Sequence, residues 1–232
     1  MRKMVSVIVG LALLSGCQTH GVGTFWQTHS IDYSDIRAAE EQFAQFAELA
    51  AAAPESEALE AMDGLFDLLK EDPVAYYIYT DWMGGAFYNM LSPCRSVPLY
   101  SKAVERMVAD GVLSESEYEP FLQRREWMQY NRKGDVATVP GASLKGRRTL
   151  VLVLDLGCPS CREALEKLAA EPAWAQTARV AVGCGYGSAP DVPGWEYVYP
   201  ENANSVFDIH MTPVYFVVAA DGTVESGYTL AL

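Results

Sequence analysis

Histidine is scarce in this chain. His20, His29 and His210 are the three present, and no two of them stand at the spacing that presents ligands to one metal ion. There is no second Cys-x-x-Cys beside Cys158-Pro-Ser-Cys161. Two thiolates make only half a tetrahedral zinc site, so a metal centre is set aside and no cofactor is implied. Basic residues are also few, 17 Lys and Arg against 30 Asp and Glu, for a formal net charge of −13. That balance argues against nucleic acid as a partner and against charge-driven adhesion to anionic lipid. The apolar run from Val5 to Leu14 is too short to remain as a transmembrane helix. No tandem repeat, long charge run or low-complexity block follows it. With 50% hydrophobic and 20% charged residues, the chain has the means for a sizeable core, in one medium or two small domains.

The first residues read as an export signal, with Arg2 and Lys3 as its charged start and Val5 to Leu14 as its apolar centre. Leu14-Ser-Gly-Cys17 resembles a bacterial lipobox. On that reading 1–16 is removed and Cys17 becomes the lipid attachment site, its acyl chains holding the protein to a membrane. The alternative is an ordinary signal peptide with a chance cysteine. On the lipoprotein reading the protein is expected in the cell envelope, facing the periplasm or exterior, where a disulfide persists. The stretch 17–32 is rich in Gly, Thr, His and Gln and reads as a tether.

From 33 to 134 the pattern is helical. Ser34 or Asp35 caps a helix through Phe43 and Phe46 that stops before Pro54; the next carries Leu59, Met62, Phe66 and Leu69. Asp72-Pro73 is an N-cap with proline at the first helical position. Another helix begins at Pro98 and ends at Gly111. Ser114 and Glu117 form a capping box for the last, which runs toward Asn131. Tyr76, Tyr77, Tyr79, Trp82, Phe87 and Tyr88 recur at helical spacing, which marks core before it marks a docking surface. The stretch 135–148, made of Gly, Asp, Pro and basic residues, reads as a linker.

Thr149 to Asp155 is a leucine and valine run of the kind buried on both faces of a parallel sheet. After Gly157 the period becomes helical, with Leu165 and Leu168 on the side of Cys161. Cys158 therefore falls at a helix N-terminus, where free amide N–H groups and the helix dipole favour a thiolate. Cys161 lies within one turn of it, suiting reversible disulfide closure. Downstream, Thr212-Pro213 opens an apolar run, and Asp221-Gly222 is a hairpin signal. Together these motifs resemble the thioredoxin superfamily, and within it the TlpA-like thiol-disulfide oxidoreductases. The layout of 33–134 is similar to a helical domain of unknown function that precedes thioredoxin folds in many Bacteroidetes lipoproteins.

The resemblance implies an α+β chain: an all-helical N-terminal domain, then a thioredoxin-like α/β domain over 149–232 with a central mixed sheet. The final helix usual in thioredoxins has no residues here; either the helical domain covers that sheet face or the chain is short. It further implies a cis Thr212–Pro213 bond, with both residues shaping the substrate-facing rim. Cys158 would be the attacking thiolate and Cys161 the resolving thiol. Protein thiols and disulfides would be the partners, with a separate electron donor to recharge the pair. Gly157 stands where relatives often have Trp or Phe, Leu152 replaces a buried acid, and Asp155 at the strand end suits capping better than proton relay. A peroxidase fits poorly, since its threonine would fall on Asp155. Cys94 and Cys184 read as small buried hydrophobes or as a disulfide joining the domains; a redox role for Cys184 is the third option. The competing function is a redox-inactive thioredoxin fold that serves as a partner-binding module.

Overall fold

The computed structural model describes residues 21–185, 187 and 192–231. Cys17 and the signal segment lie outside the described residues. The helices form where their caps predict. Asp35 accepts from the N–H groups of Arg37 and Ala38 at the start of α2 (Ile36–Ala52). After α3 (Glu55–Leu69), Asp72 caps α4 (Pro73–Met83) in the same way. Ser96 caps α5 (Val97–Asp110), which ends at Gly111 with φ 65°, and Ser114 with Glu117 boxes α6 (Glu115–Trp127). Satisfying end groups in this manner is worth about 1 kcal/mol per cap. The core between these helices is unusually aromatic, with Phe46, Phe66, Tyr76, Tyr79, Phe87 and Tyr100 fully buried. Tyr77, on the opposite side of α4, is 61% exposed.

The stretch expected as a tether is corrected from residue 21 onward. Val22 leads into a short helix α1 (Phe25–Thr28), and Val22, Phe25 and Trp26 are buried in the helical core. Phe25 meets Trp26 edge-on at 4.8 Å and Phe46 at 5.6 Å between ring centroids. The Tyr33 hydroxyl then donates to Asp72 at 2.8 Å, pinning the chain that follows. Three apolar side chains are enough to dock a segment whose average composition is polar, because the burial of each aromatic contributes about 2–3 kcal/mol.

A five-stranded mixed sheet follows, in the order β3-β2-β1-β4-β5. Its strands are β1 (Thr149–Asp155), β2 (Ala178–Cys184), β3 (Glu196–Val198), β4 (Val214–Val218) and β5 (Val224–Leu230). β1 runs parallel to β2 and antiparallel to β4. α7 (Pro159–Ala170) lies between β1 and β2 in sequence and covers one face, where Leu165 and Leu168 meet Leu150, Leu152 and Leu154. Burying each of those two leucines contributes about 2 kcal/mol. The other face carries Val151, Val153, Val180, Val182 and Phe216, and here the helical domain docks through Met90 and Tyr130. Trp127 Nε1–H donates to the Asn204 carbonyl at 2.7 Å across the same junction. The face that the helical unit covers is thus the one opposite α7.

The linker reading of 135–148 is also corrected. Gly134 and Ala137 N–H groups donate to Val224 and Gly222 carbonyls (2.9 Å each), and Val224 N–H donates to Asp135 at 2.8 Å. Val139 and Leu144 are buried with the sheet core. The cause is the edge of the β4–β5 hairpin, whose main-chain groups need partners and take them from this segment.

Candidate active site

β1 ends at Asp155, and its carboxylate accepts from Gly157 N–H at 2.9 Å while its carbonyl accepts from Cys158 N–H at 3.1 Å. This turn delivers Cys158 in an extended conformation (φ −94°, ψ 120°) as the N-cap of α7, with Pro159 at the first helical position. Cys161 N–H donates back to the Cys158 carbonyl at 3.2 Å. Asp155 thus acts as the turn's cap. It lies opposite Cys184 in the β1–β2 register, and a Cβ on Gly185 (φ +76°) would stand 2.7 Å from its Oδ1.

The two thiols sit in unlike surroundings. Cys158 is half-buried and lines a cleft of about 330 Å³ with Gly157, Pro159, Cys161 and Arg162. Its pKa is lowered, first by the Ser160 hydroxyl at 2.9 Å from its sulfur and next by the Cys161 amide N–H. Ser160 was given no role by sequence reasoning. The signal available was a hydroxyl inside the first turn, two residues beyond a cysteine N-cap, where it can turn toward the sulfur. Cys161 is 1% exposed, and burial pushes its thiol up to about 11.

Thr212 reaches the same place. Its side chain lies beside Cys161 and offsets part of that rise, while its hydroxyl donates to the Ile209 carbonyl at 2.8 Å. The Thr212–Pro213 bond is cis. The structure therefore brings Cys158, Cys161, Thr212 and Pro213 to one end of the sheet, with Leu152 fully buried in the strand beneath. His210 is exposed on the short turn before Thr212.

The remaining cysteines separate. Cys94 belongs to the helical core and Cys184 to the sheet core, and neither is paired, so among the described residues no disulfide joins the domains. Cys184 is pushed up to about 11 by burial first, then by Asp155 and Cys161 nearby. Among the described residues no three His, Cys, Asp or Glu side chains converge as a metal site would require.

The mixed sheet, the strand-to-helix Cys-x-x-Cys and the adjoining cis Thr-Pro make a thioredoxin-like fold with its two thiols at one end of the sheet. The crystal structure of a thioredoxin-like protein from Bacteroides caccae ATCC 43185 is similar to this chain, with a TM-score of 0.67 over 90% of this chain and 87% of that one. At 19% identity the likeness is one of fold, and its extent takes in helices as well as sheet. No family model and no curated protein matches the sequence.

Proposed function

We propose that this protein is an extracytoplasmic thiol-disulfide oxidoreductase of TlpA-like type, held to a membrane through Cys17 and reducing or isomerising protein disulfides. The observation that carries the reading is the asymmetry of the dithiol. An accessible thiol with a lowered pKa stands one helical turn from a buried thiol with a raised one. The Cys158 thiolate attacks one sulfur of a substrate disulfide; the Cys158–substrate bond forms and the other substrate sulfur leaves as a thiolate. Cys161 then gives up its proton, attacks the Cys158 sulfur and releases the second substrate thiol. The substrate has gained two electrons and the protein holds a Cys158–Cys161 disulfide, which a donor dithiol reduces again.

Iodoacetamide labelling against pH, read beside insulin reduction, tests this. Thiolate, and with it the alkylation rate, increases as pH rises through a thiol's pKa. Cys158 is expected to label first, with a midpoint below the ordinary thiol value of about 8.5, and Cys161 and Cys184 only at far higher pH. Insulin disulfides are expected to be reduced at the expense of dithiothreitol. A Cys158 that titrates like a free thiol, in a protein that leaves insulin intact, would return the chain to a redox-inactive binding module. A reduction potential near about −270 mV would mark a reductant and one near about −120 mV an oxidant.

No described helix is long and apolar enough to cross a membrane. The lipid reading of Cys17 has its own test: palmitate fed to expressing bacteria labels the wild-type protein and not Cys17→Ser. Equal labelling of both would discard it.

A further inference from the structure

α4 does not end as a regular helix. It passes into a π turn over Gly84–Tyr88, closed by Asn89 N–H on the Gly84 carbonyl at 3.2 Å. In an unbroken α-helix residue 88 would share a face with Tyr77 and Asp81, and both of those are exposed. The π turn absorbs one extra residue, a device concentrated at functional sites, and Tyr88 comes round to a buried position, 8% exposed. There its ring packs on Tyr100 at 5.3 Å and under the Arg124 guanidinium at 5.6 Å. Its carbonyl accepts from Arg95 Nε–H at 3.1 Å. Residues of α5, α6 and the loop between α4 and α5 thus clamp this one tyrosine.

The clamped hydroxyl crosses the domain junction and donates to Asp208 Oδ2. Among the described residues Asp208 has no ion-pair partner, so this bond is its tie to the helical domain. Its other oxygen caps the turn Ile209–Met211 by accepting from His210 N–H at 2.9 Å, and its carbonyl accepts from Met211 N–H at 3.2 Å. The Ile209 carbonyl in turn accepts from the Thr212 hydroxyl at 2.8 Å. Thr212 stands beside Cys161 and precedes Pro213. Hydrogen bonds and the short backbone turn 208–212 that they brace thus connect a helix of the first domain to the rim of the dithiol.

We infer that Tyr88 is a positioning residue which, through Asp208, fixes the Thr212–Pro213 loop against the Cys158–Cys161 pair and so sets how a substrate disulfide is held. The inference rests on the oxidoreductase reading for its kinetic consequence, and on the geometry alone for its structural one. Burial holds the phenol far above its ordinary pKa, so Tyr88 donates at every working pH. The groups that lower the Cys158 pKa, the Ser160 hydroxyl first and the Cys161 amide N–H next, lie in the first turn of α7 and outside these bonds, so thiolate formation is expected to be independent of them.

The test uses the full chain with Tyr88→Phe, which keeps the ring and removes the hydroxyl. The KM for insulin is expected to rise about tenfold through misplacement of the rim. Alkylation of Cys158 by iodoacetamide should keep its rate and pH midpoint within about twofold. Amide hydrogen exchange at Met211 and Thr212 should become faster than in the wild type. Asp208→Ala should reproduce all three results. Asp208→Asn, which retains an acceptor for His210 N–H and a polar atom against Tyr88, should recover most of the loss. Unchanged exchange at Met211 and Thr212 overturns the inference, even in a protein that reduces nothing. So does a parallel fall in insulin reduction and alkylation, the mark of general damage. A wild type that alkylates readily but leaves insulin intact overturns the oxidoreductase reading instead, and exchange in Tyr88→Phe still decides the positioning role.

Discussion

Cys158→Ser is expected to bring insulin reduction down to the uncatalysed background, a loss on the order of a thousandfold or more. The serine hydroxyl is nearly isosteric, and the hydrogen bonds that close the turn into α7 run through the Asp155 carboxylate and carbonyl and the main chain of Gly157 and Cys158, so the fold should survive. What disappears is the group whose ionisation the site favours. Serine cannot supply an anion at neutral pH, and the buried Cys161, with its thiol pushed up to about 11, is neither accessible nor ionised enough to take over. Cys161→Ser should behave differently. Attack by Cys158 still occurs, no second thiol resolves it, and a mixed disulfide on Cys158 accumulates that mass spectrometry of non-reduced protein reads directly. Residual turnover in Cys158→Ser approaching that of the wild type would move the chemistry to another cysteine, with Cys184 the nearest candidate. The two variants together separate attack from resolution, which a single inactive mutant does not.

The parts of this site that were legible in the sequence are those encoded by neighbours along the chain. The leucine and valine run of β1 and the change of period after Gly157 place Cys158 at a helix start without reference to anything distant. Asp72-Pro73, Ser114 with Glu117, and Gly111 announce helix ends for the same reason: each satisfies end groups within a turn of itself. Ser160 is within reach of the same logic, as a hydroxyl in the first turn beyond a cysteine N-cap. The hydrogen bond between Tyr88 and Asp208 is of another kind. Its partners lie 120 residues apart in separate domains, and the π turn that swings Tyr88 inward leaves the helical spacing of aromatics looking continuous. The stretches read as tether and linker failed through averaging. Their polar composition is real, but Val22, Phe25 and Trp26 in one, and Val139 and Leu144 in the other, are the residues that decide the packing.

Phe25→Ala turns that correction into a number. A tether residue can be truncated without consequence, whereas Phe25 is 3% exposed, stacks on the His29 ring at 4.1 Å and touches Trp26 and Phe46. Removing the ring forfeits its transfer free energy and leaves a hole lined by other aromatics that cannot collapse freely. The expected cost is about 3–5 kcal/mol, a large part of the roughly 5–15 kcal/mol that holds a typical domain together. Urea unfolding followed by tryptophan fluorescence should show the midpoint fall with its slope preserved. The exposed neighbour Gln27→Ala, on the same short helix, should stay within about 0.5 kcal/mol of the wild type. Because the helical core also carries Tyr88, Phe25→Ala should loosen the domain junction near its own melting range while Cys158 alkylation at low temperature is unaffected. If Phe25→Ala and Gln27→Ala unfold at the same urea concentration as the wild type, the segment from residue 21 is a tether after all, and the helical core closes without it.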